Sequence, residues 1–122
     1  MTYHARSLIN HHAGLAAEAI VARDYIARGS AIACQRWRGK GGEIDLVIRE
    51  GDRVVFTEVK KARTHDIAAT RLGSHQMRRL CRAASEFVAG EPRGQLTEMR
   101  FDLATVDQAG TVRIIENAFM EE

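Results

Sequence analysis

Glu43-Ile44-Asp45-Leu46-Val47-Ile48-Arg49-Glu50-Gly51-Asp52-Arg53-Val54-Val55-Phe56-Thr57-Glu58-Val59-Lys60 reads as two strands joined at Gly51-Asp52. Aliphatic, β-branched and aromatic residues crowd residues 43–48 and 53–60, and Glu50-Gly51-Asp52 between them is a turn signal. A two-residue, glycine-first loop of the type II′ kind fixes the register. Glu50 then faces Arg53, Ile48 faces Val55 and Val47 faces Phe56. Continued down the ladder, Asp45 falls opposite Glu58 and Glu43 opposite Lys60. Side chains alternate between the two faces of a strand, so these four share one face. It is also the face of Val54 and Phe56, the side expected to meet the core.

Two carboxylates directly opposite each other repel, and a purely structural hairpin would carry hydrophobes at those positions. Buried acids of like sign raise each other's pKa or recruit a cation. A hard divalent ion such as Mg²⁺, which takes oxygen ligands, answers both problems, with Mn²⁺ as the alternative. Lys60, one side-chain repeat past Glu58, is placed to hold a phosphate oxygen or to orient and help deprotonate a water. Asp45, Glu58 and Lys60 together are therefore the candidate catalytic set for metal-dependent phosphodiester hydrolysis. The competing reading is ordinary: Glu43 and Lys60 form a cross-strand ion pair, and a one-residue slip turns Asp45 and Glu58 to solvent. The acids sit inside apolar runs, and that favours the catalytic reading.

Working outward, residues 11–28 carry helical periodicity, with Leu15, Ala19, Ala22 and Ile26 on one stripe and Gly29 as a stop. Glu18 lies at the edge of that stripe. Two readings of it stand: a carboxylate snorkelling from the core edge, or an outer metal ligand. Residues 31–38 read as a strand before the hairpin. A second helix is expected from Gly73 or Ser74 to Ala89, with Met77, Leu80, Cys81, Ala84, Phe87 and Val88 inward. Two closing strands follow at residues 99–106 and 112–116. The order helix, three strands, helix, two strands predicts an α/β protein on the α+β borderline, with a central mixed sheet. The crossover helix lets the third and fourth strands run parallel.

The 122 residues suffice for one domain, and the formal net charge of +2 permits a polyanionic partner without demanding one. Cys34 and Cys81, in no CxxC pair, read as reduced core residues of a cytoplasmic protein. No apolar run approaches a membrane span. Basic residues cluster twice: Arg36, Arg38 and Lys40 just upstream of the hairpin, and Arg71, Arg78 and Arg82 at spacing that puts them on one face of the second helix. They are candidates for a phosphate-tracking surface; a solvated helix face and a polar loop are the bland alternative.

Gly14-Leu15-Ala16-Ala17-Glu18, Gly42-Glu43-Ile44-Asp45-Leu46, Val55-Phe56-Thr57-Glu58-Val59-Lys60 and Arg100-Phe101-Asp102 resemble the YraN-like proteins of bacteria. These are small members of the PD-(D/E)XK superfamily, which has the restriction-endonuclease-like fold and includes Holliday-junction resolvases. The resemblance spans nearly the whole chain. It implies that Asp45 is the first acid of the motif, Glu58 and Lys60 its (D/E)-x-K, Glu18 the acid of the first helix, and the Val59 carbonyl a further metal ligand. Two positions depart from the pattern. Arg36 stands where relatives commonly have asparagine, and Gln76 where they often have lysine. The expectation is a Mg²⁺-dependent endonuclease acting on nucleic acid, DNA rather than RNA, in structured or branched form. A homodimer would suit a two-strand substrate. A non-catalytic nucleic-acid-binding module with the same fold is the alternative, and a partner-binding accessory protein a third reading.

Overall fold

The computed structural model describes residues 3–119, with side chains from residue 14 onward. A long helix α1 (Tyr3–Ala27) leads into β1 (Ala31–Arg38), β2 (Glu43–Glu50) and β3 (Arg53–Lys61). Two helices, α2 (His65–Thr70) and α3 (Ser74–Val88), then cross over to β4 (Met99–Val106) and β5 (Val112–Ile115). The five strands lie in sequence order. Only β3 and β4 are parallel, as a helical crossover requires. This is the expected α/β architecture with a mixed sheet, consistent with a restriction-endonuclease-like core.

Helices cover both faces of the sheet. On one, Ala17, Val21, Ala22 and Tyr25 of α1 pack on Leu46, Ile48, Val55, Ala104 and Val106. On the other, Leu80, Cys81, Ala83, Ala84 and Val88 of α3 pack on Val47, Val54, Phe56 and Phe101. Phe56 anchors that second layer, stacking on Phe101 at 5.6 Å and meeting the edge of Phe87 at 5.7 Å. Apolar side chains on alternate positions of β3 thus serve two separate layers, which is why that strand is apolar almost throughout.

The hairpin has the expected register: Glu50 pairs with Arg53, Ile48 with Val55, Val47 with Phe56, and Leu46 with Thr57. Gly51 carries φ +60°, as the first position of a glycine-first turn demands.

Three features differ from the sequence reading. Helix α1 begins at Tyr3 rather than near residue 11, since no proline or glycine interrupts residues 3–13. Its buried stripe is Ala17, Glu18, Val21, Ala22 and Tyr25, while Ile26 is 56% exposed. Alanines on every side leave the helix phase poorly marked, and Tyr25 with Val21 sets it. The short helix α2, capped by the Thr64 hydroxyl accepting from the Ile67 N–H, went unforeseen. Arg71 is the C-terminal cap of α2 and donates to the Lys61 carbonyl at 3.1 Å, so it does not share a helix with Arg78 and Arg82.

A buried polar network pins α1 to the sheet away from the acids of the hairpin. Asp102, wholly buried, accepts from Tyr25 Oη at 2.7 Å, Arg100 Nε at 2.8 Å, Arg100 Nη2 at 3.0 Å and the Asn117 N–H at 3.1 Å. Arg100 also makes a bidentate pair with Glu50. Asp102 thus pairs with Arg100 and serves structure.

Candidate active site

The β2–β3 ladder ends at Leu46 and Thr57, and the acids lie just beyond that end. There Asp45 Oδ2 accepts the Val59 N–H at 2.9 Å. A side chain bonds a main-chain donor of the neighbouring strand past the last backbone pair. The expected pairing of Asp45 with Glu58 is not part of the ladder, yet the two carboxyls stand near enough for the Asp45 charge to act on Glu58. The expected opposition of Glu43 and Lys60 does not appear among the strand pairs. Glu43 instead pairs with Arg38 of β1, taking its Nη2 at 2.8 Å and Arg36 Nε at 3.5 Å. Lys60 turns to Glu58, with Nζ 3.1 Å from Oε1.

Glu58 is 6% exposed and takes a second donor at the same oxygen, Gln76 Nε2 of α3 at 2.9 Å. Burial above all, and then the Asp45 charge, push its carboxyl from 4.5 to about 8, against the opposing pull of Lys60. Asp45 is raised as well, again chiefly by burial, with the Val59 N–H pulling the other way. Glu18, buried on α1, is pushed to about 7 by burial and then by the charge of Asp45. Arg36 Nε lies 3.8 Å from Glu18 and counters that rise. Arg36 holds φ +54° in β1, a region that side chains with a Cβ rarely occupy. Glu43 is lowered, foremost by its bond from Arg38.

A cleft of about 150 Å³ opens at this end of the hairpin, lined by Glu43, Asp45, Glu58, Gln76, Arg79 and Leu80. Its donors to a ligand are carboxylate oxygens on one wall and a guanidinium and an amide on the other. Among the described residues, no three His, Cys, Asp or Glu side chains stand together as a ready metal cage. Mg²⁺ does not need one. It keeps several waters and is commonly held by one or two carboxylates plus substrate phosphate. A pair of carboxyls, one buried and one half-buried, both with raised pKa values, offers the oxygen chemistry that such an ion takes. Asp45 and Glu58 are the residues that could hold it, with the Val59 carbonyl next to Glu58 in sequence and Glu18 near enough to feel the Asp45 charge.

The chain matches the uncharacterised protein family UPF0102 over residues 17–106. A UPF0102 protein of Cereibacter sphaeroides is 59% identical to it, covering 91% of this chain and 95% of that relative. One from Ruegeria pomeroyi is 56% identical over 94% of each. One from Dinoroseobacter shibae is 44% identical over 88% of this chain and 80% of its own. The chain belongs to the UPF0102, or YraN, family.

In this UPF0102 protein the hairpin places Asp45, Glu58, Val59 and Lys60 together, and α1 delivers Glu18 to the same place. The basic residues divide. Arg36 and Arg38 are engaged by Glu18 and Glu43. The Lys40, Arg78 and Arg82 side chains lie exposed, while Arg79 rather than Arg78 or Arg82 lines the cleft. Gln76 and Arg79 carry more of the site than their sequence context indicated. The signal was present in the helical spacing of 76, 79 and 80, whose last member, Leu80, is buried in the core facing the hairpin. No helix of the described residues is long and apolar enough to cross a membrane.

Proposed function

We propose that this protein is a metal-dependent nuclease that hydrolyses phosphodiester bonds in nucleic acid, structured or branched DNA in particular. The observation that carries the reading is the meeting of a buried carboxyl, Glu58, and a half-buried one, Asp45, at the open end of a hairpin with Lys60 against Glu58. Charged side chains are seldom buried unless paired or liganded, and one ammonium does not balance this group. Mg²⁺ held by Asp45 and Glu58 would supply Lewis-acid polarisation of a phosphoryl oxygen and acidify a nearby water.

The protein's own groups do the rest. Lys60, with a side chain one-fifth exposed, is free on its outer side to hold a phosphate oxygen or a water while Glu58 fixes its inner side. Gln76 restrains Glu58 from α3, so the carboxyl keeps its orientation as substrate enters. Arg79 on the opposite wall meets a phosphate in the cleft and offsets charge developing there. The exposed Lys40, Arg78 and Arg82 follow the flanking backbone by charge alone.

The test is a panel of labelled single-stranded, duplex, flap and four-way-junction DNAs and a matching RNA, each with Mg²⁺, Mn²⁺ or EDTA. Metal-dependent cutting that Asp45→Ala and Lys60→Ala each reduce by about 100-fold or more, with binding in EDTA retained, supports the reading. Tight, salt-sensitive binding without cutting by the parent protein turns it to the non-catalytic binding module.

A further inference from the structure

Glu86 stands in the last turn of α3, where the helix macrodipole disfavours an acid. Its two oxygens are engaged by main-chain donors from a distant loop. The Lys40 N–H reaches Oε2 at 2.8 Å, and the Gly41 N–H reaches Oε1 at 2.5 Å. Charge-assisted bonds of this kind are about twice as strong as neutral ones. The loop is built to be gripped. A Cβ on Gly39 would lie 2.5 Å from Glu86 Oε2 and 2.6 Å from the Trp37 ring, and one on Gly41 would lie 3.0 Å from Oε1. Gly42 adopts φ +149°, and a Cβ there would lie 3.7 Å from the Arg79 guanidinium. The loop closes on itself through the Gly39 N–H to the Gly42 carbonyl at 2.9 Å.

The chain from Arg38 to Gly42 therefore runs directly over α3, against Arg79 and Arg82, before entering the strand that carries Asp45. We infer that Glu86 is a positioning residue for nucleic acid: it latches the glycine loop so that Lys40 joins Arg79 and Arg82 in one basic ridge beside the cleft. This inference rests on the nuclease reading. The carboxylate touches neither substrate nor the reacting atoms. It acts through the loop, and its contribution lies in binding. With the latch released, Lys40 samples many positions, and the ordering entropy of the loop must be supplied each time substrate binds.

The test uses the full chain with Glu86→Ala, Glu86→Gln, Gly39→Ala and Lys40→Ala. Binding to a labelled DNA that the parent cuts is measured in EDTA across a salt series, and KM and kcat are measured with Mg²⁺. Amide spectra follow the Lys40 and Gly41 N–H signals. Expected are displaced Lys40 and Gly41 amides in both Glu86 variants and in Gly39→Ala. Binding should be weaker by about tenfold, with a salt slope flatter by about one counterion. The loss should fall on KM rather than kcat. Glu86→Ala combined with Lys40→Ala should be no weaker than Lys40→Ala alone, because both remove one contact. Displaced amides with unchanged binding and salt slope overturn the inference, as does a loss confined to kcat or full additivity with Lys40→Ala. A parent protein that binds no nucleic acid overturns the nuclease reading and this inference together. A parent that binds and cuts, with variants that bind equally well, overturns the latch alone.

Discussion

Replacing Asp102 by alanine tests whether the buried polar network, rather than the acids of the hairpin, holds α1 to the sheet. Asp102 is wholly buried and accepts four hydrogen bonds, from Tyr25, twice from Arg100, and from the Asn117 N–H. Alanine leaves Tyr25 Oη with Thr57 Oγ1 at 2.9 Å and Arg100 with Glu50, so neither group is fully orphaned. The Asn117 N–H loses its partner, and one negative charge vanishes beside a guanidinium whose side chain is 11% exposed. Bonds to charged groups contribute about 1.5–3 kcal/mol each, and summing four of them would approach the whole stability of a domain. The surviving Glu50 pair argues for less, so the expected cost is about 4 kcal/mol, within the range for breaking a buried ion pair. Urea unfolding should read this as a midpoint about 2–3 M lower, given a slope near 1.5 kcal/mol/M. The single tryptophan, Trp37, reports on the transition from its edge contact with Phe87 at 5.5 Å. Asp102→Asn, which keeps the shape and some acceptors, should cost about half as much. A loss under about 1 kcal/mol for Asp102→Ala refutes the reasoning, because no relaxation of a fully enclosed site should recover so much.

In chelator, Glu58→Gln should stabilise the protein above pH 5. The folded carboxyl holds its proton up to about pH 8 whereas the unfolded one releases it near 4.5. Stability is therefore fully present below pH 4.5 and is lost as pH rises toward 8, and the variant should lack that loss, gaining on the order of 3 kcal/mol at pH 7. Urea titrations at pH 5, 7 and 8.5 check it, and parallel pH slopes for parent and variant would sink it. Phe56→Ala should cost about 3–5 kcal/mol, since Phe56 is 1% exposed and touches two other rings; denaturant curves decide, and a cost near 1 kcal/mol would mean that α3 closes over the gap. Gly51→Ala, at φ +60°, should cost roughly 1 kcal/mol without changing cleavage per folded molecule; equal stability would show that the turn had changed type.

The hairpin was legible because two constraints agreed: period-two alternation and a turn that admits few loop lengths. That agreement fixed the pairing from Glu50 with Arg53 down to Leu46 with Thr57, where the ladder stops just short of the acids. The parallel neighbour was legible from the length of the crossover. The rest depends on contacts between residues far apart in sequence, which no local pattern encodes. Arg36 looked like a phosphate binder and is held by Glu18 and Glu43. Nothing local in the sequence marks Glu86, whose partners are main-chain N–H groups of the loop at residues 39–42. Gln76 was visible only as a substitution for lysine; its bond to Glu58 depends on where α3 docks. The phase of α1 was hidden by its alanines, so Glu18 seemed to sit on an edge and lies instead in the buried stripe.

The placement of both acids on one hairpin bears on how the chain folds. Asp45 and Val59 are separated by only 14 positions. Hairpins close in about 1–10 μs, whereas the β3–β4 pairing must wait for the whole crossover through α2 and α3. Repulsion between Asp45 and Glu58 thus enters early in the search, before the layers around them are complete. The apolar alternation around the acids, Val47 against Phe56 and Ile48 against Val55, must hold the two strands together while that repulsion is still unanswered.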